Sequence, residues 1–181
     1  MYRLERNLLA LLLIVLVTTA CSQKKAAEES PQPSAMAVNP SSGTGTTGRF
    51  SFQFSHRGEA SPRWVQFLFG NQDPTASPFC LVHYDPKEDA LKLYRGPGPG
   101  DFFGPNVPGT VTAPLNNGFC QVDTSASSAT PTANGLSVTV ALNFDASFAG
   151  ERTIYARMLD ESEHDTGWRR VGVWTVPAAG R

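Results

Sequence analysis

Residues 136–144 set Leu136, Val138, Val140, Leu142 and Phe144 on one side of an extended chain and Ser137, Thr139, Ala141 and Asn143 on the other. A period of two belongs to a β-strand, whose successive side chains face opposite ways, and not to the 3.6-residue repeat of a helix buried along one stripe. The pattern recurs at Phe50, Phe52 and Phe54 against Arg49, Ser51, Gln53 and Ser55, and at Val65, Phe67 and Phe69 against Trp64, Gln66 and Leu68. Further strands are expected over 79–84, 90–94, 154–158 (Ile154, Ala156, Met158) and 171–176. Asp85-Pro86 marks the turn of a hairpin between 79–84 and 90–94, and the polar run 160–167 marks another. The Gly- and Pro-rich stretch 95–117 reads as a long ordered loop or a broken edge. After Cys21 no segment of eleven or more residues keeps a helical period, so seven to nine short strands imply an antiparallel β-sandwich.

The N-terminus has a different logic. Arg3 and Arg6 precede an unbroken apolar run from Leu8 to Val17, followed by Thr18-Thr19-Ala20-Cys21. Ten apolar residues are too few to span a bilayer, which needs roughly 20, but they suit a signal peptide. Small residues directly before a cysteine resemble the lipobox of bacterial lipoproteins, with Thr18 where leucine is usual. The resemblance implies cleavage after residue 20, acylation of Cys21 and a stable membrane anchor, since each buried CH₂ adds about 0.8 kcal/mol. An ordinary secretory signal cut near Ala20 is the other reading, and both place the chain outside the cytoplasm. Ser22, in place of an aspartate, implies the outer rather than the inner membrane of a two-membrane cell. Residues 21–35 then form a flexible tether rich in charge, proline and small side chains, 36–177 a sandwich domain and 178–181 a tail.

Without residues 1–20 the chain loses Arg3, Arg6 and Glu5 and keeps a formal charge of −2, so no polybasic face for nucleic acid is implied. Cys21 belongs to the anchor, which leaves Cys80 and Cys120 as a disulfide pair in an oxidising compartment. Two free thiols are the alternative.

Trp64-Val65-Gln66, Cys80, Tyr84-Asp85, Leu91 and Leu93, Asn117-Gly118-Phe119-Cys120, Phe148-Ala149-Gly150, Tyr155, Asp160 and Gly167-Trp168 with Gly172-Val173-Trp174-Thr175-Val176 form a recognisable series. It resembles immunoglobulin-like β-sandwich domains of unassigned function found, often in tandem, in large secreted bacterial proteins. The resemblance covers roughly residues 36–176. It implies an all-β, immunoglobulin-like, disulfide-stabilised sandwich used as a surface or spacer module, and it brings no catalytic residues. Trp64 precedes both cysteines, unlike the core tryptophan of antibody domains, so the disulfide either joins the two sheets or ties the 95–117 loop to the strand of Cys80.

Chemistry is sparse. The nucleophile elbow Gly-x-Ser-x-Gly is absent, and His56, His83 and His164 read as surface or partly buried imidazoles. Cys80-x-x-His83 has a spacing seen at copper sites, but Cys80 has a better use in a disulfide and Met158 is far off in the chain. Asp160, Glu161, Glu163 and Asp165 put four carboxylates in six residues, a weak candidate for Ca²⁺ without the order of a known calcium loop, and otherwise a solvated hairpin tip. No cofactor or other metal is implied. Trp64, Tyr155, Trp168 and Trp174 fall, by period two, on the face opposite the aliphatic one, where rings are placed to stack on sugars, or they pack beneath loops or in the core. Phe102 and Phe103 read as a protein contact or as the plug of their own loop. The expectation is a non-catalytic, lipid-anchored envelope protein whose partners are the membrane and an envelope protein or polysaccharide. A carbohydrate-binding domain is the second reading, and a small secreted enzyme the third.

Overall fold

The computed structural model describes residues 33–56, 61–70, 78–96 and 100–180; the expected signal peptide, Cys21 and the tether as far as residue 32 lie outside the described residues. The two strongest alternating segments become β3 (Thr47–His56) and β10 (Gly135–Phe144), paired antiparallel from Gly135 opposite Ser55 to Asn143 opposite Thr47. With β1 (Pro33–Asn39), β9 (Cys120–Thr132) and β8 (Leu115–Asn116) they form a five-stranded sheet in the order β1-β3-β10-β9-β8. The second sheet has seven strands. Its order runs β2 (Ser42–Thr44), β12 (Arg169–Val176), β11 (Gly150–Asp160), β4 (Pro62–Phe69), β5 (Cys80–Asp85), β6 (Ala90–Tyr94) and β7 (Phe102–Asn106). Every pairing is antiparallel except that of β2 with β12. The orders β1-β3-β10-β9 and β12-β11-β4-β5-β6 correspond to strands A-B-E-D and G-F-C-C′-C″ of a variable-type immunoglobulin sandwich.

Three features depart from the expectation. The described residues form twelve strands rather than seven to nine, because one edge strand switches sheets at the Asn39–Pro40 bond and because the 95–117 stretch contains β7 and β8. The domain starts inside the expected tether, with β1 opening at Pro33. The 13-residue β9, whose Ser, Thr and Ala content hides its alternation, was not anticipated beyond Cys120.

The core lies between the sheets. Phe50, Phe52 and Phe54 of β3 meet Phe67 and Phe69 of β4, all of them buried, with Phe52 and Phe67 stacked at 4.1 Å between centroids. Each such ring contributes about 1.5–3 kcal/mol by leaving water. Trp174 belongs here too. It is 7% exposed, meets Phe50 edge-on at 5.0 Å and donates its indole N–H to the Gly45 carbonyl. Gly43 makes room for that ring: a Cβ would sit 2.3 Å from Trp174 Cζ3.

Cys80 opens β5 in one sheet and Cys120 opens β9 in the other, so the disulfide joins the sheets rather than tethering a loop within one of them. With the partners 40 positions apart in sequence, the chain-entropy model assigns it about 4 kcal/mol. Asn117 secures the same end of the sandwich. Its amide donates to the carbonyls of Phe79 and Tyr94, and its oxygen accepts from the amides of Phe119 and Cys120.

Candidate functional site

The outer face of the seven-stranded sheet carries a second cluster of apolar and aromatic side chains. Strand β4 shows why: Val65, Phe67 and Phe69 point inward, yet Leu68, pointing outward, is also wholly buried. Register sets Tyr155 of β11, Leu68 of β4 and Leu81 of β5 side by side, and Tyr94 of β6 beside Phe102 of β7. Phe79 packs with them and Trp168 closes the group from just before β12. Along the same face a polar row runs through Arg157, Gln66, His83 and Lys92. Lys92 pairs with Glu88.

Arg157 organises one end of this face. Its guanidinium lies 5.4 Å from the Trp64 ring and 5.8 Å from Trp168, a distance at which a cation is drawn to the ring face. Its Nε donates to both oxygens of Asp165 (2.9 and 3.1 Å) and its terminal nitrogen to Oδ2. Those hydrogen bonds hold the Asp165 carboxyl below the usual carboxylate range and raise Arg157. Beside it the His83 ring lies 5.8 Å from Trp64 and 5.5 Å from Phe102, and accepts at Nδ1 from the Gln66 amide at 3.3 Å. Burial, helped by the charge of Lys92, lowers His83 to about 4, so the ring is neutral at pH 7. Rings, a neutral imidazole and an already paired guanidinium make a surface suited to stacking and hydrogen bonding.

The expected aromatics divide. Trp64, Tyr155 and Trp168 are half-buried on or beside this face, whereas Trp174 is a core residue, the alternative the sequence left open for these rings and against its period-two placement. The reason is a bulge. Ile154 faces Gly172 but Tyr155 faces Arg170, so Val171 is an extra residue that reverses the parity of β12 between Trp168 and Trp174. Phe102 and Phe103 also divide, Phe102 joining the outer cluster and Phe103 packing against the main core.

The four carboxylates of the β11–β12 loop do not converge. Asp165 is held by Arg157, and Glu163 faces Arg63 at 3.6 Å. Asp160 is fully buried, its Oδ1 accepting from the amides of Ser162 and His164 and its Oδ2 lying 3.4 Å from His164 Nδ1. Among the described residues no group of three or more His, Cys, Asp or Glu is placed to hold a metal ion. Cys80, bonded to Cys120, has no thiolate to offer the copper spacing. His83 lies on β5, half-buried as expected, and the side chain of His56 lies outside the description.

Sequence reasoning singled out the rings but missed Arg157, Gln66 and Leu68. Their signal was present: each has the outward parity of its strand, and an outward leucine between two inward phenylalanines marks a sheet apolar on both faces. No protein-family model, curated protein or solved structure matches this chain.

Proposed function

We propose that the chain is a non-catalytic, lipid-anchored protein of the cell envelope, held by Cys21, whose immunoglobulin-like sandwich docks a partner on the outer face of the seven-stranded sheet. The observation that carries this reading is the half-buried set Trp64, Tyr155 and Trp168 gathered around Arg157, beside a row of buried apolar side chains. A solvated sheet face normally carries polar residues, whereas this one leaves the Trp64, Tyr155 and Trp168 rings half-exposed over a buried apolar cluster, amphipathic surface of the kind that interfaces favour. The same rings favour a second reading, a polysaccharide ligand stacked on Trp64, Tyr155 and Trp168.

Intact mass of the membrane-extracted chain tests the anchor. Cleavage before Cys21 with an added diacylglyceryl group supports it, and an unlipidated product overturns it. Crosslinking in the intact envelope tests the face: a protein adduct lost in Trp64→Ala/Trp168→Ala supports a protein partner. Quenching of tryptophan emission by an envelope polysaccharide, lost in the same variant, supports the carbohydrate reading. Neither signal in the wild-type chain would overturn the assignment of this face.

A further inference from the structure

The outer face of the five-stranded sheet holds a shallow, open dent of about 230 Å³. Ala141 forms its floor. Arg49 of β3 stands directly opposite Ala141 on one side and Asp123 of β9 on the other, in one row across three strands. The walls are therefore two strand spacings apart, about 10 Å. Asn143 and Thr47, the next outward pair, close one end.

The dent is shaped by a bulge. The register of β9 against β10 shifts between Thr139 and Ala141, and the Ala141 amide donates to Ser127 Oγ at 3.1 Å. The bulged residues turn back on Asp123. Its Oδ1 accepts from Ser125 N (3.0 Å), Ser125 Oγ (2.6 Å) and Ala126 N (3.3 Å), which aligns the carboxylate and leaves Oδ2 without a hydrogen bond among the described residues. Those bonds, the Ser125 hydroxyl first, hold the carboxyl below its usual range, so it is ionised throughout the neutral region. Bulges recur beside binding sites because they re-aim side chains in this way. Across the dent, Arg49 has no ion pair or hydrogen bond among the described residues, whereas Arg63, Lys92, Arg95, Arg152, Arg157 and Arg169 each have one.

We propose that this dent binds one acidic sugar ring, a hexuronate unit. An unengaged guanidinium presents a fork that matches a carboxylate two bonds at a time. On the facing wall, a fixed carboxylate oxygen accepts from ring hydroxyls, with the Asn143 amide and Thr47 hydroxyl completing the set. The volume is below the roughly 300–1,000 Å³ of sites for drug-sized ligands and suits a single ring lying across the alanine floor. The site lies on the sheet opposite the proposed docking face and stands independently of it.

The test is calorimetric titration of the full chain in detergent with D-galacturonate, D-galactose in parallel, and the variants Arg49→Gln and Ala141→Leu. The expected result is saturable galacturonate binding, weaker by about tenfold or more for galactose and for Arg49→Gln, and lost when a leucine fills the floor. Trp64→Ala/Trp168→Ala leaves that binding unchanged, which separates this site from the aromatic face. Arg49→Gln, exposed at the surface, keeps the test decisive if Ala141→Leu fails to fold. No saturable binding by the wild-type chain, equal binding of galactose, or galacturonate binding unaltered in Arg49→Gln would each overturn the proposal.

Discussion

The two outer faces of this sandwich obey different rules. On the five-stranded sheet, alternation is clean: Ser51, Gln53, Ser137 and Thr139 face solvent while Phe52, Phe54, Leu136 and Val138 face the core. Gln53 there bonds across strands to Ser137 at 2.7 Å. On the seven-stranded sheet, alternation fails at the centre, where Phe67-Leu68-Phe69 and Cys80-Leu81-Val82 are each buried without a break. One sheet has a single core face and a wet back. The other has apolar groups on both sides, and its second cluster holds side chains whose loss would be felt as core damage.

Breaking the link between the sheets should have the largest effect and should ignore the contrast between the faces. Cys80→Ala/Cys120→Ala is expected to cost about 4 kcal/mol in denaturant unfolding, loosening both faces together. Leu68→Ala is expected to cost about 3 kcal/mol although the side chain lies on an outer face, because it leaves a cavity in a packed cluster. Chemical unfolding of that variant measures how far this face behaves as a core.

Acid should act on the same face. His83 is lowered to about 4 when folded against 6.5 when free, so between those values the unfolded chain binds more protons and stability falls as pH falls. The contribution is complete above pH 6.5, and its loss by pH 4 is expected to approach about 2 kcal/mol after allowance for partial exposure. Unfolding midpoints across that window for the wild-type chain and His83→Gln provide the measurement, the variant giving the flatter profile. Arg157→Ala should cost about 1 kcal/mol, the sum of a modest ion pair and weak ring contacts, with a shift in tryptophan emission as its signature. On the polar sheet, Thr139→Val should stay within about 0.5 kcal/mol. A larger loss there than at Arg157 would remove the distinction between the faces.

Legibility in the sequence followed the same contrast. Strands β3, β10 and β4 were readable because their inward positions are Phe, Val and Leu, and the disulfide followed from the exclusion of Cys21. Strand β9 was hidden because its inward residues past Val122 include Thr124 and Ser127, which are buried only by virtue of hydrogen bonds to Thr110 O and Asp123 O that a sequence does not display. Strands β7 and β8 were masked by Gly104, Pro105 and Pro114, residues that normally mark loops. Parity counting placed Trp64 and Tyr155 correctly and failed at Trp174, since one bulged residue inverts everything after it. Arg157 was passed over as an ordinary surface charge because its partners, Trp64 and Trp168, lie far from it in sequence or beyond a turn.

The position of β1 has a mechanical consequence. The strand enters the five-stranded sheet at Pro33, opposite His56, and runs antiparallel to β3 as far as Asn39 opposite Ser51. Under the proposed anchoring at Cys21, load would enter the described domain at Pro33, and its component along the strand axis would act on the β1–β3 pairing. The inter-strand hydrogen bonds lie perpendicular to that axis, so they share the load in shear instead of opening one after another. The disulfide sits at the opposite end of the sheet, where Cys120 faces Phe144, and takes none of that first load. Under that proposal, the first resistance to an axial load is the short β1–β3 ladder of backbone bonds.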